Sequence, residues 1–201
     1  MPIIKFKEED KWGLKNSAGT ILVSPLYEEV YITENGAVAS EYIYDETEDT
    51  EVIRIIAFDN AGDKTATISE ELAKQNIDRV LDFWQLTPNL FGFQFSNWDS
   101  RELCGVFNSS GQIVISPEFD EVGMLAFSEH ILTCYHGAHY EEYDGQGIKN
   151  YGQKIFDQFG NPIVAESIKD FQDLENGEHS FVTDSGRQFK TNKYGKTILE
   201  S

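Results

Sequence analysis

Residues Trp12–Val30, WGLKNSAGTILVSPLYEEV, are written again ninety-two positions later as CGVFNSSGQIVISPEFDEV, over Cys104–Val122. Nine of the nineteen positions are identical, and others keep their character: Leu14 against Val106, Val23 against Ile115, Glu28 against Asp120. A chain that repeats itself at this length is built from copies of one small unit, each unable to bury its apolar face alone. That constrains the fold before anything else is read.

The most regular repeated signal is Asn or Asp, two residues, then Gly. It stands at Asn16–Gly19, Asp59–Gly62, Asn108–Gly111, Asp157–Gly160 and Asn192–Gly195, at intervals of 43, 49, 49 and 35 residues. The acidic or amide side chain opens a turn by binding nearby backbone. Gly closes it in a left-handed conformation that a Cβ would penalise. Apolar residues alternate on both flanks, Leu14 before and Ile21 and Val23 after, which is the period of strands.

A second hairpin precedes each turn: Ile3–Phe6 into Lys11–Lys15, Ala37–Tyr44 into Val52–Phe58, Phe91–Phe95 into Leu103–Phe107, Ile131–Tyr135 into Tyr151–Phe156, and Phe181–Thr183 into Gln188–Thr191. The predicted fold is all-β: about five tandem three-stranded antiparallel β-meander repeats in one domain spanning 1–201. The repeats fall at about 1–36, 37–89, 90–129, 130–178 and 179–201. An open array and a propeller-like ring both fit; three strands per unit rather than four favour the open array. Ser24-Pro25 and Ser116-Pro117 are expected to end the third strand, since Pro cannot donate to a ladder. In the second unit Leu72, Ile77, Val80 and Leu81 recur near helical spacing after Glu70 and Glu71, which predicts one short helix near 69–83.

Lys11-Trp12-Gly13, the Asn16–Gly19 turn, the apolar run, Pro25 and Tyr27-Glu28-Glu29 together resemble the WG repeat family, also called KWG repeats. The second copy matches with Cys104 in place of Trp. The other three repeats keep the turn and replace the Trp-Gly pair with Ile55-Ile56, Gln153-Lys154 and Gln188-Phe189. The resemblance implies a β-rich tandem array, mainly bacterial, without a shared catalytic site. Trp12 and Gly13 then read as packing positions, a large aromatic beside a residue that lets backbone approach.

Charge narrows the partners. Asp and Glu number 35 against 16 Lys and Arg, a net charge of −19, which repels phosphate and disfavours nucleic acid and anionic membrane. The excess is uneven: −8 over residues 1–51, −3 over 52–102, −6 over 103–150 and −2 over 151–201. No apolar run forms a signal peptide or membrane span, and two cysteines, Cys104 and Cys134, are too few for a disulfide scaffold. A cytoplasmic protein with two thiols is expected.

Chemistry is sparse. Cys134, His136 and His139, followed by Glu141, Glu142 and Asp144, form a weak metal candidate that lacks a second ligand pair at standard spacing. The run Asp45–Glu51 offers carboxylates to calcium but has no turn Gly. The histidines, His130, His136, His139 and His179, accompany no Ser or Cys in a nucleophile elbow, and Gly145-Gln146-Gly147 lacks the Lys and helix of a phosphate loop. No catalytic residue, metal or cofactor is expected. The alternating hairpins should instead gather their first loops on one edge, where repeat proteins bind. That edge would carry Tyr42, Tyr44, Asp45, Glu46, Glu48, Asp49, Trp98, Asp99, Tyr140, Glu141, Glu142, Tyr143 and Asp144. Aromatics among carboxylates suit a basic protein partner, for instance a toxin neutralised by an immunity protein. The alternatives are a scaffolding repeat without a defined site and a metal-dependent protein or enzyme built on the His136–His139 loop.

Overall fold

The structure is a computed structural model of the 201-residue chain. It describes residues 2–45, 49–77, 79–96, 102–125, 128–136 and 152–200. The chain is a mostly antiparallel β-repeat array. The first sheet is β1 (Ile3–Glu8), β2 (Lys11–Asn16) and β3 (Ile21–Tyr27) in chain order. The second is β4 (Glu29–Thr33), β5 (Gly36–Asp45), β6 (Thr50–Asp59) and β7 (Lys64–Thr67), followed by helix α1 (Ile68–Ala73). The third holds β8 (Val80–Thr87), β9 (Leu90–Ser96), β10 (Glu102–Asn108) and β11 (Ile113–Phe119). The fourth runs through β12 (Glu121–Met124), β13 (Ile131–Tyr135), β14 (Gln153–Asp157), β15 (Ile168–Asp173), β16 (His179–Thr183), β17 (Gln188–Thr191) and β18 (Thr197–Glu200). Its halves meet at a single pair, Gln153 opposite Ile168. The chain divides into two compact bodies, residues 1–102 with 107–113 and residues 103–106 with 114–201.

The five Asn/Asp turns are built alike. In each, the side-chain oxygen accepts the backbone N–H two and four residues on: Asn16 from Ala18 and Thr20, Asp59 from Ala61 and Asp63, Asn108 from Ser110 and Gln112, Asp157 from Phe159 and Asn161, Asn192 from Tyr194 and Lys196. All ten bonds span 2.8–3.0 Å. The closing glycines take φ of 80–86°. The motif therefore satisfies turn donors that a plain loop would leave to water.

Three details differ from the sequence expectation. The segments between repeats, EVYIT, VLDFWQLT, EVGM and IKDFQD, are strands themselves, so every repeat after the first opens with an extra strand, β4, β8, β12 or β15. Their Glu and Asp obscure the apolar alternation because these strands expose one face. The Ser-Pro pairs do not end their strands: β3 runs through Pro25 to Tyr27 and β11 through Pro117 to Phe119. Both strands lie at sheet edges, where a missing N–H costs no ladder bond. The helix stops at Ala73, and Val80 and Leu81 belong to β8, whose pairing with β9 shifts register between Val80 and Asp82 and so buries Val80 and Phe83 at a spacing that imitates a helix.

In the first body, Ile3, Leu14, Val30, Ala37, Ala39, Ile56 and Phe58 form one buried cluster, with Trp12, Leu22, Val23, Tyr27 and Ile32 packed on it. Each fully buried aliphatic side chain contributes about 1.5–3 kcal/mol. Gly13 lies at a bulge opposite β3, where a Cβ would come within 2.6 Å of the Val23 carbonyl and 2.9 Å of the Pro25 nitrogen. Lys5 and Lys7 cover the Trp12 ring at 4.9 and 5.5 Å. The Trp-Gly pair is thus a packing device, with Trp half-buried and Gly admitting the edge strand. Phe83, Phe91, Phe93 and Phe107 fill the other side of that body, their ring centroids 5.4–6.3 Å apart in the contacting pairs. In the second body the core is Leu125, Ile131, Ile155, Ile168, Phe181 and Phe189.

Candidate functional site

The β5–β6 hairpin is the longest in the described chain, two ten-residue strands in unbroken register from Gly36 opposite Asp59 to Asp45 opposite Thr50. Its base is held by core residues on both faces, Ala37, Ala39, Ile56 and Phe58 on one and Val38 and Ile55 on the other. Beyond that base it continues outward, and there Tyr42 and Tyr44 stand 56% and 59% exposed. Period-two alternation sets both rings on one face. The Tyr44 hydroxyl donates to the Asp49 carboxylate across the tip. On the opposite face Arg54 Nε donates to Glu41 at 2.7 Å, pinning the two strands where the hydrophobic base ends.

Beneath the hairpin lies a groove of about 310 Å³, lined by Ile43, Val52, Ile53, Ser69, Ala73 and Ile77. It exists because β7 pairs with β6 only from Ile56 to Phe58, after which helix α1 takes over. Ser69 Oγ accepts the Ile55 N–H at 2.8 Å and donates to the Ile53 carbonyl at 3.3 Å, standing in for the missing strand. Sequence reasoning missed this groove. Its only trace was Ser69 ahead of the helical spacing, which reads as an ordinary helix start.

Of the expected binding residues, the structure brings Tyr42, Tyr44, Asp45 and Asp49 together on this one hairpin. Glu46, Glu48, Trp98, Asp99, Tyr140, Glu141, Glu142, Tyr143 and Asp144 lie outside the described residues. His139 does too.

Of the metal candidate, Cys134 and His136 lie among the described residues. Cys134 is fully buried in β13, and burial, with the neighbouring Cys104 adding to it, pushes its thiol up to about 12. His136 packs its ring on Phe119 at 4.5 Å. No group of three or more His, Cys, Asp or Glu suited to a metal occurs among the described residues. Neither cysteine forms a disulfide, and Cys104 Sγ donates to the Asp120 carbonyl at 3.4 Å.

The other two described histidines, His130 and His179, are also held in structural contacts. His130 binds Gln158 at 2.9 Å and lies 4.7 Å from the Tyr194 ring. His179 is buried in β16, its Nδ1 3.3 Å from an Asp173 oxygen, close enough for attraction but not aligned as a hydrogen bond. No helix among the described residues is long and apolar enough to cross a membrane.

Two segments of the chain, residues 12–40 and 105–129, match the family model of the WG containing repeat. No curated protein matches the chain. Among solved structures, a crystal structure of the eukaryotic initiation factor aligns with 9% identity and a TM-score of 0.34, over 99% of this chain and 62% of that one. The chain therefore spans less than two thirds of that protein's length, and a likeness at this level carries no argument.

Proposed function

The chain carries WG-containing repeats, and on that premise we propose that it is a non-catalytic protein-binding module whose acidic, aromatic hairpin edge receives a basic protein partner. The observation behind this reading is the overhang of β5–β6. A hairpin whose base is core and whose outer third exposes two tyrosines beside carboxylates spends apolar surface that folding alone does not require. Tyrosine supplies contact area at low entropic cost, and the acidic residues around it steer a cationic surface. A narrower form makes that partner a toxin, its basic active-site cleft covered by the acidic edge as an immunity protein would cover it; the net charge of −19 supports this.

A second reading, a structural repeat without a partner site, draws on the five turns of one geometry, whose recurring residues serve turn hydrogen bonding and backbone conformation. Affinity capture from the native host, at low and at moderate salt, separates the two. Binding predicts one basic protein, released as salt rises, and lost when Tyr44→Ala is combined with Glu46→Lys and Asp49→Lys in a chain that still folds. Capture unchanged by that variant would refute the hairpin edge as the site.

A further inference from the structure

The repeats interlock by a rule that can be counted along the chain. Six residues after the turn-opening Asn or Asp stands an apolar side chain, Leu22, Val114 or Ile163, and the closing Gly of the next turn lies on it. A Cβ on Gly62 would come within 2.7 Å of Leu22 Cβ. On Gly160 it would meet the Val114 carbonyl at 2.8 Å, and on Gly195 the Ile163 Cδ1 at 2.5 Å. Gly111 meets Glu71 Cβ at 3.1 Å instead, because α1 occupies that place in the second repeat. Each repeat thus offers a trailing strand to the leading face of its successor.

Among the described residues, two faces stand outside this rule. Gly19, the first turn glycine, has no heavy atom of the described residues within 4 Å of its Cβ position. The same six-residue count from Asn192 gives Ile198, which is 49% exposed, with Leu199 at 55%. Their counterparts in the first repeat, Leu22 and Val23, pack on the core. The leading faces compare in the same way. Register sets Ile4 and Phe6 at the places of Ala37 and Ala39, since Ile3 pairs with Asn16 as Gly36 pairs with Asp59. Ala37 and Ala39 are each 1% exposed, whereas Ile4 is 44% exposed and Ile21 stands open on the same row.

We infer that these two surfaces are the halves of one joint, and that β18 of one molecule docks on the β1–β3 leading face of a second copy. The interface already repeated inside the chain specifies the occupant: a leading face of this type receives an apolar third strand, and among the described residues β18 leaves its apolar side chains Ile198 and Leu199 exposed. Such a contact is heterologous, so it propagates head to tail rather than pairing two identical patches. With −19 on each copy, and with Lys15 at one half and Lys193 and Lys196 at the other, salt strengthens it. That is opposite in sign to the salt effect on a basic partner, and the joint does not depend on the hairpin site.

The test is the mass in solution, by sedimentation and light scattering, across protein concentration at low and moderate salt. The wild-type chain is expected to rise from one chain to two or more with concentration, and further with salt. Ile4→Glu combined with Ile21→Glu blocks the leading face; Ile198→Glu blocks the trailing strand. All three positions are largely exposed, and circular dichroism checks that folding is retained. Each variant alone should stay at one chain, and an equimolar mixture should form a complex of two chains and nothing larger. A wild type that stays at one chain throughout overturns the inference. So does a variant that still assembles like wild type, or a mixture that stays at one chain.

Discussion

At Gly160 two separate demands meet on one residue: φ is +81°, and the Val114 carbonyl sits 2.8 Å from where a Cβ would be. Gly19 has nearly the same φ, +86°, in open space. Comparing the two separates backbone strain from packing. Gly19→Ala should cost about 1–2 kcal/mol from the left-handed conformation alone. Gly160→Ala should cost about 1–3 kcal/mol more, since a backbone carbonyl must move. Urea unfolding at low protein concentration reads both, and equal losses would refute the interlocking contact. Cys134 makes a residue-scale prediction of another kind. Its thiol, at about 12 when folded against an ordinary 9.0, binds its proton more tightly in the folded chain. Its contribution is complete below pH 9 and is lost as pH climbs toward 12. Cys134→Ala should therefore flatten the alkaline limb of the stability profile by up to about 1.4 kcal/mol per pH unit. Burial also raises Tyr27, so some alkaline slope survives the substitution.

Among the elements, α1 is too short to stand by itself and is held by what it replaces. Where β7 ends, Ser69 supplies one acceptor and one donor to the edge of β6. Ser69→Ala leaves the Ile55 N–H without its partner and should cost about 1–3 kcal/mol in chemical denaturation. Protection of the Ile55 amide against hydrogen exchange should fall with it. Unchanged protection would mean that another group covers that edge. The turn motif was legible in the sequence because its chemistry is local: an oxygen at one residue and donors two and four residues on need no distant partner. The opening strands β4, β8, β12 and β15 were not, because a half-exposed acidic strand carries the composition of a loop. Nor did Pro25 and Pro117 mark strand ends, since whether Pro is tolerated depends on which neighbour lies beside that strand.

For the molecule as a whole, the contrast is between a large acidic charge and lysine-bearing ends. The hairpin reading predicts binding that weakens with salt, and the end-to-end joint predicts association that strengthens with it. Tyr44→Ala with Asp49→Lys should abolish partner capture and leave the self-association curve unchanged. Ile198→Glu should do the reverse. A single variant that altered both would mean one surface serves both purposes. The candidate site was partly legible in advance, because Tyr42, Tyr44 and Asp49 declare themselves by exposing aromatics among charges. The groove under them was hidden, since Ile53, Ser69 and Ile77 are brought together by the early end of β7.

Taken alone, the sequence determined the repeat, the five turns and the all-β class, all consequences of short-range bonding and period-two alternation. Tertiary structure alone decided how many strands each sheet holds, that the Ser-Pro pairs lie within edge strands, that Cys134 is held as a buried thiol, and that Gly62, Gly160 and Gly195 each rest on the preceding repeat while Gly19 rests on nothing described. These depend on which residues distant in the chain come to lie side by side, and spacing along a single chain carries no record of that.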